Sequence, residues 1–153
     1  MHPEDAFAVQ QLAVVYADCV SRGDVAAAVQ VCAPDGRLET PTTEPAMGRA
    51  AIEATISKTV ASLVLVCQTV HVGLIQVDGD RAKARTPITE WARRSRDSQP
   101  FMFLGRYEDE AVRLDEGWRF ARRRLVPRTF ARPDFLSNAV HPTTALALDL
   151  ESQ

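Results

Sequence analysis

Apolar residues between Phe7 and Val20 fall at Val9, Leu12, Ala13, Tyr16, Cys19 and Val20, at intervals of three and four that predict an amphipathic helix. Ser21-Arg22-Gly23 ends it, and Asp24 is placed to cap a second, Ala-rich short helix running through Cys32. Pro34-Asp35-Gly36 is a turn, so the first two helices form a hairpin. Arg37 to Glu39 starts a short strand, and Thr40-Pro41-Thr42-Thr43-Glu44-Pro45 reads as a loop. Gly48 leads into a third helical stretch, Arg49 to about Ser62, with Ile52, Ile56 and Val60 spaced by four.

After Ser62 the texture changes to Val, Leu, Ile and Thr, which predicts one long strand from Val64 to Val77. Asp78-Gly79-Asp80 is a hairpin signal, and Arg81 to Arg93 returns with alternation, Arg81, Lys83 and Arg85 on one face against Ala82, Ala84 and Thr86 on the other. A turn around Ser95 to Ser98 leads into a strand from Phe101 to Leu114, and Asp115-Glu116-Gly117 turns the chain into Trp118 to Phe130. Four long antiparallel strands then form a meander. The fold class is α+β: three N-terminal helices packed on a strongly curved antiparallel sheet, as one domain over residues 5–132, with a C-terminal tail over residues 133–153.

Composition narrows the function classes. With 153 residues, 46% hydrophobic and 25% charged, the chain suits one soluble domain able to bury roughly two thirds of its unfolded surface. A net charge of −2 implies no general attraction to nucleic acid, and Arg122-Arg123-Arg124 lacks the aromatic interleaving of a nucleic-acid site. No apolar run approaches the roughly 18 residues that span a bilayer, and the N-terminus is not organised as a signal peptide, so the expected location is cytoplasmic, without a membrane partner. Cys19, Cys32 and Cys67 lack metal-type spacing and are expected as free buried thiols, with no structural metal.

The order of these elements, together with Tyr16 to Asp24 (YADCVSRGD), Ala33-Pro34-Asp35-Gly36, Gly48-Arg49-Ala50-Ala51-Ile52, His71 with Val77-Asp78-Gly79-Asp80-Arg81-Ala82, and Asp115-Glu116-Gly117-Trp118-Arg119-Phe120, resembles the SnoaL-like branch of the nuclear transport factor two-like superfamily over about residues 5 to 130. The resemblance implies a cone-shaped α+β barrel in which a curved sheet wraps a long helix and leaves a pocket at the open end. Its members include scytalone dehydratase, ketosteroid isomerase, a bile acid dehydratase and the small subunits of ring-hydroxylating dioxygenases, so the fold alone does not choose a reaction.

Alternation within Val64 to Val77 groups His71 with Cys67, Thr69 and Gly73 on the more polar face, against Val66, Val70, Val72 and Leu74 on the other. A histidine titrates near working pH and can take a proton from a carbon beside a carbonyl or give one to a leaving hydroxyl; the bland reading is a core histidine satisfied by a backbone carbonyl. The resemblance implies the catalytic role for His71, and pairs that histidine with an aspartate five residues after a tyrosine on the first helix. The tyrosine matches Tyr16, but the fifth residue after it is Ser21, so Asp18 stands as the substitute carboxylate, against its plain reading as a solvated helix residue. Tyr16 either packs in the core or, as the resemblance implies, donates a hydrogen bond to a substrate carbonyl.

Glu90 shares a face with Ala84, Thr86 and Ile88, which makes it an inward carboxylate able to act as acid or base, or else a residue exposed by a bulge. Tyr107 and Thr69 are candidate lining residues, and Arg123 is the arginine of the 122–124 run assigned to clamp an anionic or carbonyl group.

The expected function is a cofactor-independent lyase or isomerase acting on a hydrophobic, polycyclic, oxygenated small molecule such as a steroid or polyketide. The alternative is a non-catalytic small subunit or ligand-binding protein of the same fold. An outer sheet face carrying Val66, Val70, Val72 and Leu74 is too apolar to leave in water, so a homodimer or homotrimer is expected through it.

Overall fold

The computed structural model describes residues 3–96 and 98–132; the expected tail, 133–153, lies outside them. Helix α1 (Pro3–Arg22) opens with Glu4 and Asp5 in its first turn, where carboxylates complement the helix dipole. It buries the predicted stripe: Val9, Leu12, Ala13, Tyr16, Cys19 and Val20 all lie in the core. Gly23, at φ 75°, reverses the chain in the left-handed conformation that glycine takes without strain. Asp24 Oδ1 accepts the Ala27 N–H at 3.1 Å, capping the four-residue α2 (Val25–Ala28) as expected, and a 3-10 turn (Val29–Val31) continues it.

Beyond this point the chain departs from the expected turn and loop. Pro34-Asp35-Gly36 lies within a nine-residue strand, β1 (Cys32–Thr40), and Thr43–Met47 forms β2, which folds back on it. Helix α3 (Arg49–Ala61) buries Ile52 and Ile56. Then come β3 (Leu65–Val70), β4 (Leu74–Asp78), β5 (Arg81–Arg93), β6 (Phe101–Leu114) and β7 (Gly117–Ala131).

The sheet runs β2-β1-β7-β6-β5-β3, with β4 also on β5. The β5–β6–β7 meander is antiparallel as expected, but β1 pairs with β7 in parallel, so the sheet is mixed. It curls around α1 and remains open, with β2 and β3 at its ends. The architecture is the expected α+β one of helices packed on a strongly curved sheet. Trp118 and Phe120 are buried against the helices, and Trp118 Nε1 donates to Asp5 Oδ1 at 3.2 Å, tying the start of α1 to β7.

The expected long strand over Val64 to Val77 is two strands. Val70 pairs with Ile88 and Leu74 with Arg85, so four steps along this segment face three along β5. One extra residue is therefore accommodated at 71–73, as in a bulge, and it inverts the side-chain phase between β3 and β4. Val66, Gln68 and Val70 face inward on β3, and Ile75 and Val77 on β4; Val66, Val70, Ile75 and Val77 pack against the core. Cys67, Thr69 and His71 are exposed, which reverses the face expected for Thr69 and His71 and leaves only Cys19 and Cys32 as buried thiols. The physical reason is that the buried face of β3 takes the two valines, and the polar alternates are left to solvent.

The outer face is correspondingly not the apolar one expected. Val72 and Leu74 are exposed, but the neighbouring strands present Arg85, Glu108, Arg124 and Glu39 in register across the sheet. Arg122 bridges Glu39 and Glu110 at 3.0 and 3.4 Å, so these charges largely satisfy one another.

Candidate functional site

Inside the curl, α1, α3, β1, β3, β5, β6 and β7 enclose a cavity of about 90 Å³. Its walls are mainly apolar, with Val20, Ile56, Val60, Val66 and Leu125 among them, and the polar side chains Tyr16, Gln68, Glu90 and Tyr107 converge there. Thr59, exposed on α3, also borders it, which puts the mouth beside that helix. A larger groove of about 480 Å³ lies on the outer sheet face among Lys83, Arg85, Glu108, Glu110, Arg122 and Arg124. It is a trough between mutually neutralising charges, whereas the inner cavity combines apolar walls with a few aimed polar groups, the usual composition of a small-molecule site.

Glu90 reaches the cavity because β5 keeps its alternation: Ala84, Thr86 and Ile88 are buried on the same face. Gln68 Nε2 donates to Glu90 Oε2 at 2.7 Å and lies 3.5 Å from the Tyr107 hydroxyl. Gln68 Oε1 is buried without a hydrogen-bond partner in the protein. Burial raises the Glu90 carboxyl above its ordinary range, and the Gln68 hydrogen bond offsets only part of that.

Tyr16 and Tyr107 meet edge to face, with ring centroids 5.9 Å apart and planes at 78°. Both are almost fully buried. Burial drives the pKa of both phenols upward, and Arg123 pulls in the opposite direction.

Arg123 is itself wholly buried and does not line the cavity. Its Nε lies 3.2 Å from Asp109 Oδ1, and its guanidinium carbon sits 3.7 Å from the Tyr107 ring centroid, 4.4 Å from that of Tyr16 and 4.3 Å from that of Phe120. The expected clamp on a ligand is therefore corrected: the cation lies under the aromatic rings instead of in the space they border. Burial raises the Asp109 carboxyl from 3.8 to about 6, with Arg123 opposing.

Of the residues singled out from the sequence, Tyr16, Glu90 and Tyr107 come together. His71 does not join them. It lies in the β3–β4 link on the exterior, where its Nε2 is 3.0 Å from Thr89 Oγ1 and its backbone N–H donates to Pro87 O at 3.0 Å. Thr69 is also outward, and Asp18 is exposed and paired with Arg22 at 2.9 Å one turn along α1, the plain reading of a solvated helix carboxylate.

The residues missed are Gln68 and Ser21. Ser21 Oγ accepts the Gln68 backbone N–H at 2.8 Å, joining α1 to β3 beside the cavity. The valines two residues either side of Gln68 were the available signal, since burying Val66 and Val70 must also turn Gln68 inward. Among the described residues no three His, Cys, Asp or Glu side chains gather as metal ligands would, and no helix is long and apolar enough to cross a membrane.

Comparison with solved structures places the fold among known ones. An aromatic ring hydroxylase candidate from Novosphingobium aromaticivorans is 22% identical, with a TM-score of 0.79 over 86% of this chain and 94% of the other. A candidate scytalone dehydratase from the same organism is 18% identical, with a TM-score of 0.74 over 92% and 93%. A hexachlorocyclohexane dehydrochlorinase is 12% identical, with a TM-score of 0.77 over 87% and 91%. A search of curated proteins finds no match. At these identities the likeness establishes the fold and leaves the chemistry to the site itself. The family is fixed by sequence: the model of the SnoaL-like domain matches residues 2–124, and the chain belongs to that family.

Proposed function

We propose that the cavity carries out acid–base chemistry of the lyase or isomerase type on an apolar, oxygenated small molecule, with Glu90 moving the proton. The observation that carries this reading is the Glu90 carboxyl, held by Gln68 at 2.7 Å in an apolar cavity. A carboxylate that burial has made more basic is suited to take a proton from a carbon beside a carbonyl. The C–H electron pair becomes a carbon–carbon double bond as the carbonyl π pair moves onto the oxygen, where a tyrosine hydroxyl can hold the negative charge by hydrogen bonding. The protonated Glu90 next delivers its proton either to a departing β-hydroxyl, releasing water, or to another carbon, completing an isomerisation. Glu90 thus takes the part the sequence suggested for His71.

The neighbours described as a dehydratase candidate and a dehydrochlorinase support this class of reaction. Substrate size argues for a smaller molecule than the expected steroid or polyketide. The cavity is small, about 90 Å³, so small cyclic ketones are the first compounds to test. The test is hydrogen–deuterium exchange beside the carbonyl in a panel of cyclic ketones incubated in D2O. Exchange by the wild-type chain and its loss in Glu90→Gln is the expected result; equal exchange by both removes Glu90 from the chemistry.

A second reading, a non-catalytic ligand-binding protein or small subunit, is favoured by Ser21 standing where the resemblance implies a carboxylate. Its mark would be saturable binding of the same ketones with no exchange.

A further inference from the structure

Two N–H groups of Arg123, Nε and Nη1, have no well-aligned hydrogen-bond acceptor, although the side chain is wholly buried. Asp109 lies opposite on β6, in register with Arg123 on β7, and its Oδ2 accepts from Nη2 at 3.3 Å. Burying such a pair costs about as much as its mutual attraction returns, so packing alone gives no reason for it. What the pair does achieve is to press a permanent cation onto the ring faces of Tyr107 and Tyr16. Both rings border the cavity, and Glu90 borders it with them.

We infer that Arg123 is a positioning residue for this cavity: fixed by Asp109 and stacked on Tyr16 and Tyr107, it holds the two phenols and polarises their hydroxyls to bind an oxygen on which negative charge develops. The inference rests on the acid–base reading of Glu90 and gives it a substrate class, carbonyl compounds that react through an enolate. Preorganised donors in a site with little water stabilise such an oxyanion far better than solvent does. A cation on the ring face acts in the required direction, favouring negative charge at the phenol oxygen and opposing the effect of burial. Arg123 touches no ligand and acts only through the tyrosines.

The probe is 4-nitrophenol, whose anion mimics an enolate oxygen on a flat ring and whose colour reports ionisation, with nitrobenzene as the neutral control. On the wild-type chain the bound probe is expected as its phenolate at a pH where most free probe is protonated; a protonated bound probe overturns the inference. Removing both buried charges together, Arg123→Met with Asp109→Leu, is expected to weaken phenolate binding about tenfold and to leave nitrobenzene binding unchanged, while Arg123→Lys keeps most of the phenolate affinity. Equal loss of both ligands would mean that the pair merely supports the walls, and an unchanged phenolate affinity would mean that the cation does not act on the phenols. Either result overturns it. A ligand-free measurement accompanies these: Tyr16 and Tyr107 are the only tyrosines in the chain, so 13Cζ-tyrosine labelling gives two resonances. Both are expected to move in the double variant and to stay near their wild-type positions in Arg123→Lys. Binding of the phenolate requires no proton transfer by Glu90, so failure here leaves the exchange test standing, and failure of exchange leaves these binding results intact.

Discussion

Ser21 Oγ accepts the Gln68 backbone N–H at 2.8 Å, and this one bond joins the end of α1 to the strand that brings Gln68 to Glu90. Without the hydroxyl, a half-buried N–H on β3 loses its acceptor. Ser21→Ala should therefore cost about 1–3 kcal/mol, the usual penalty for an orphaned donor. Denaturant unfolding measures it; a variant as stable as the wild type would show that water replaces the hydroxyl without loss.

Asp109 gives a pH dependence with a definite sign. Its carboxyl titrates at about 6 when folded against 3.8 in its ordinary state, so the folded chain binds the extra proton between those values. Stability from this group is complete below about pH 4 and is lost as pH rises through 6, a change of roughly 3 kcal/mol. The comparison of wild type with Asp109→Asn isolates it, because Glu39, which ion pairing with Arg122 and Arg37 lowers, contributes equally to both. The difference in unfolding free energy between the two chains should shift steeply between pH 4 and 6 and be level on either side. A flat difference would mean that Asp109 stays ionised across that range.

Gly73 is the place where the extra residue between β3 and β4 is absorbed. A Cβ built there would lie 2.7 Å from Thr86 Oγ1 and 3.1 Å from the Arg85 carbonyl, and its N–H is already taken by Gln10 Oε1 at 2.9 Å. Gly73→Ala must push β4 away from β5 or α1, and a loss of about 1–3 kcal/mol is expected, typical of overpacking. Thermal unfolding reads it directly, and an unchanged midpoint would mean that the link moves freely enough to make room.

How far the sequence revealed this site depended on where periodicity was unbroken. On α1 the three-and-four spacing puts Tyr16 on the buried stripe, and on β5 the alternation of Ala84, Thr86 and Ile88 carries through to Glu90; both border the cavity, one of the two positions the sequence left open for each. Between Val64 and Val77 the same rule failed, because one added residue changes no composition yet turns every later side chain to the other face. Arg123 was found to point inward, but a count of alternation cannot tell a side chain that reaches a cavity from one that ends beneath its walls. The parallel pairing of β1 with β7 joins segments some 85 residues apart, Arg37 with Arg122, and local pattern carries no trace of it.

His71 was the residue the sequence made most of, and its position on the exterior gives an expectation opposite to the one its chemistry suggested. Its side chain meets solvent and the Thr89 hydroxyl, and its anchoring bonds to Pro87 and Gln10 run through the backbone, which a substitution leaves in place. An exposed side chain making a single hydrogen bond contributes little, so His71→Ala should change stability by no more than about 0.5 kcal/mol. Because its ring is not among the side chains that line the cavity with Tyr16, Gln68, Glu90 and Tyr107, it should also leave carbon–deuterium exchange in the ketone panel at the wild-type rate, while Glu90→Gln abolishes it. A His71→Ala chain that folds normally but has lost exchange would return the proton transfer to the histidine and require the β3–β4 link to turn inward when substrate binds.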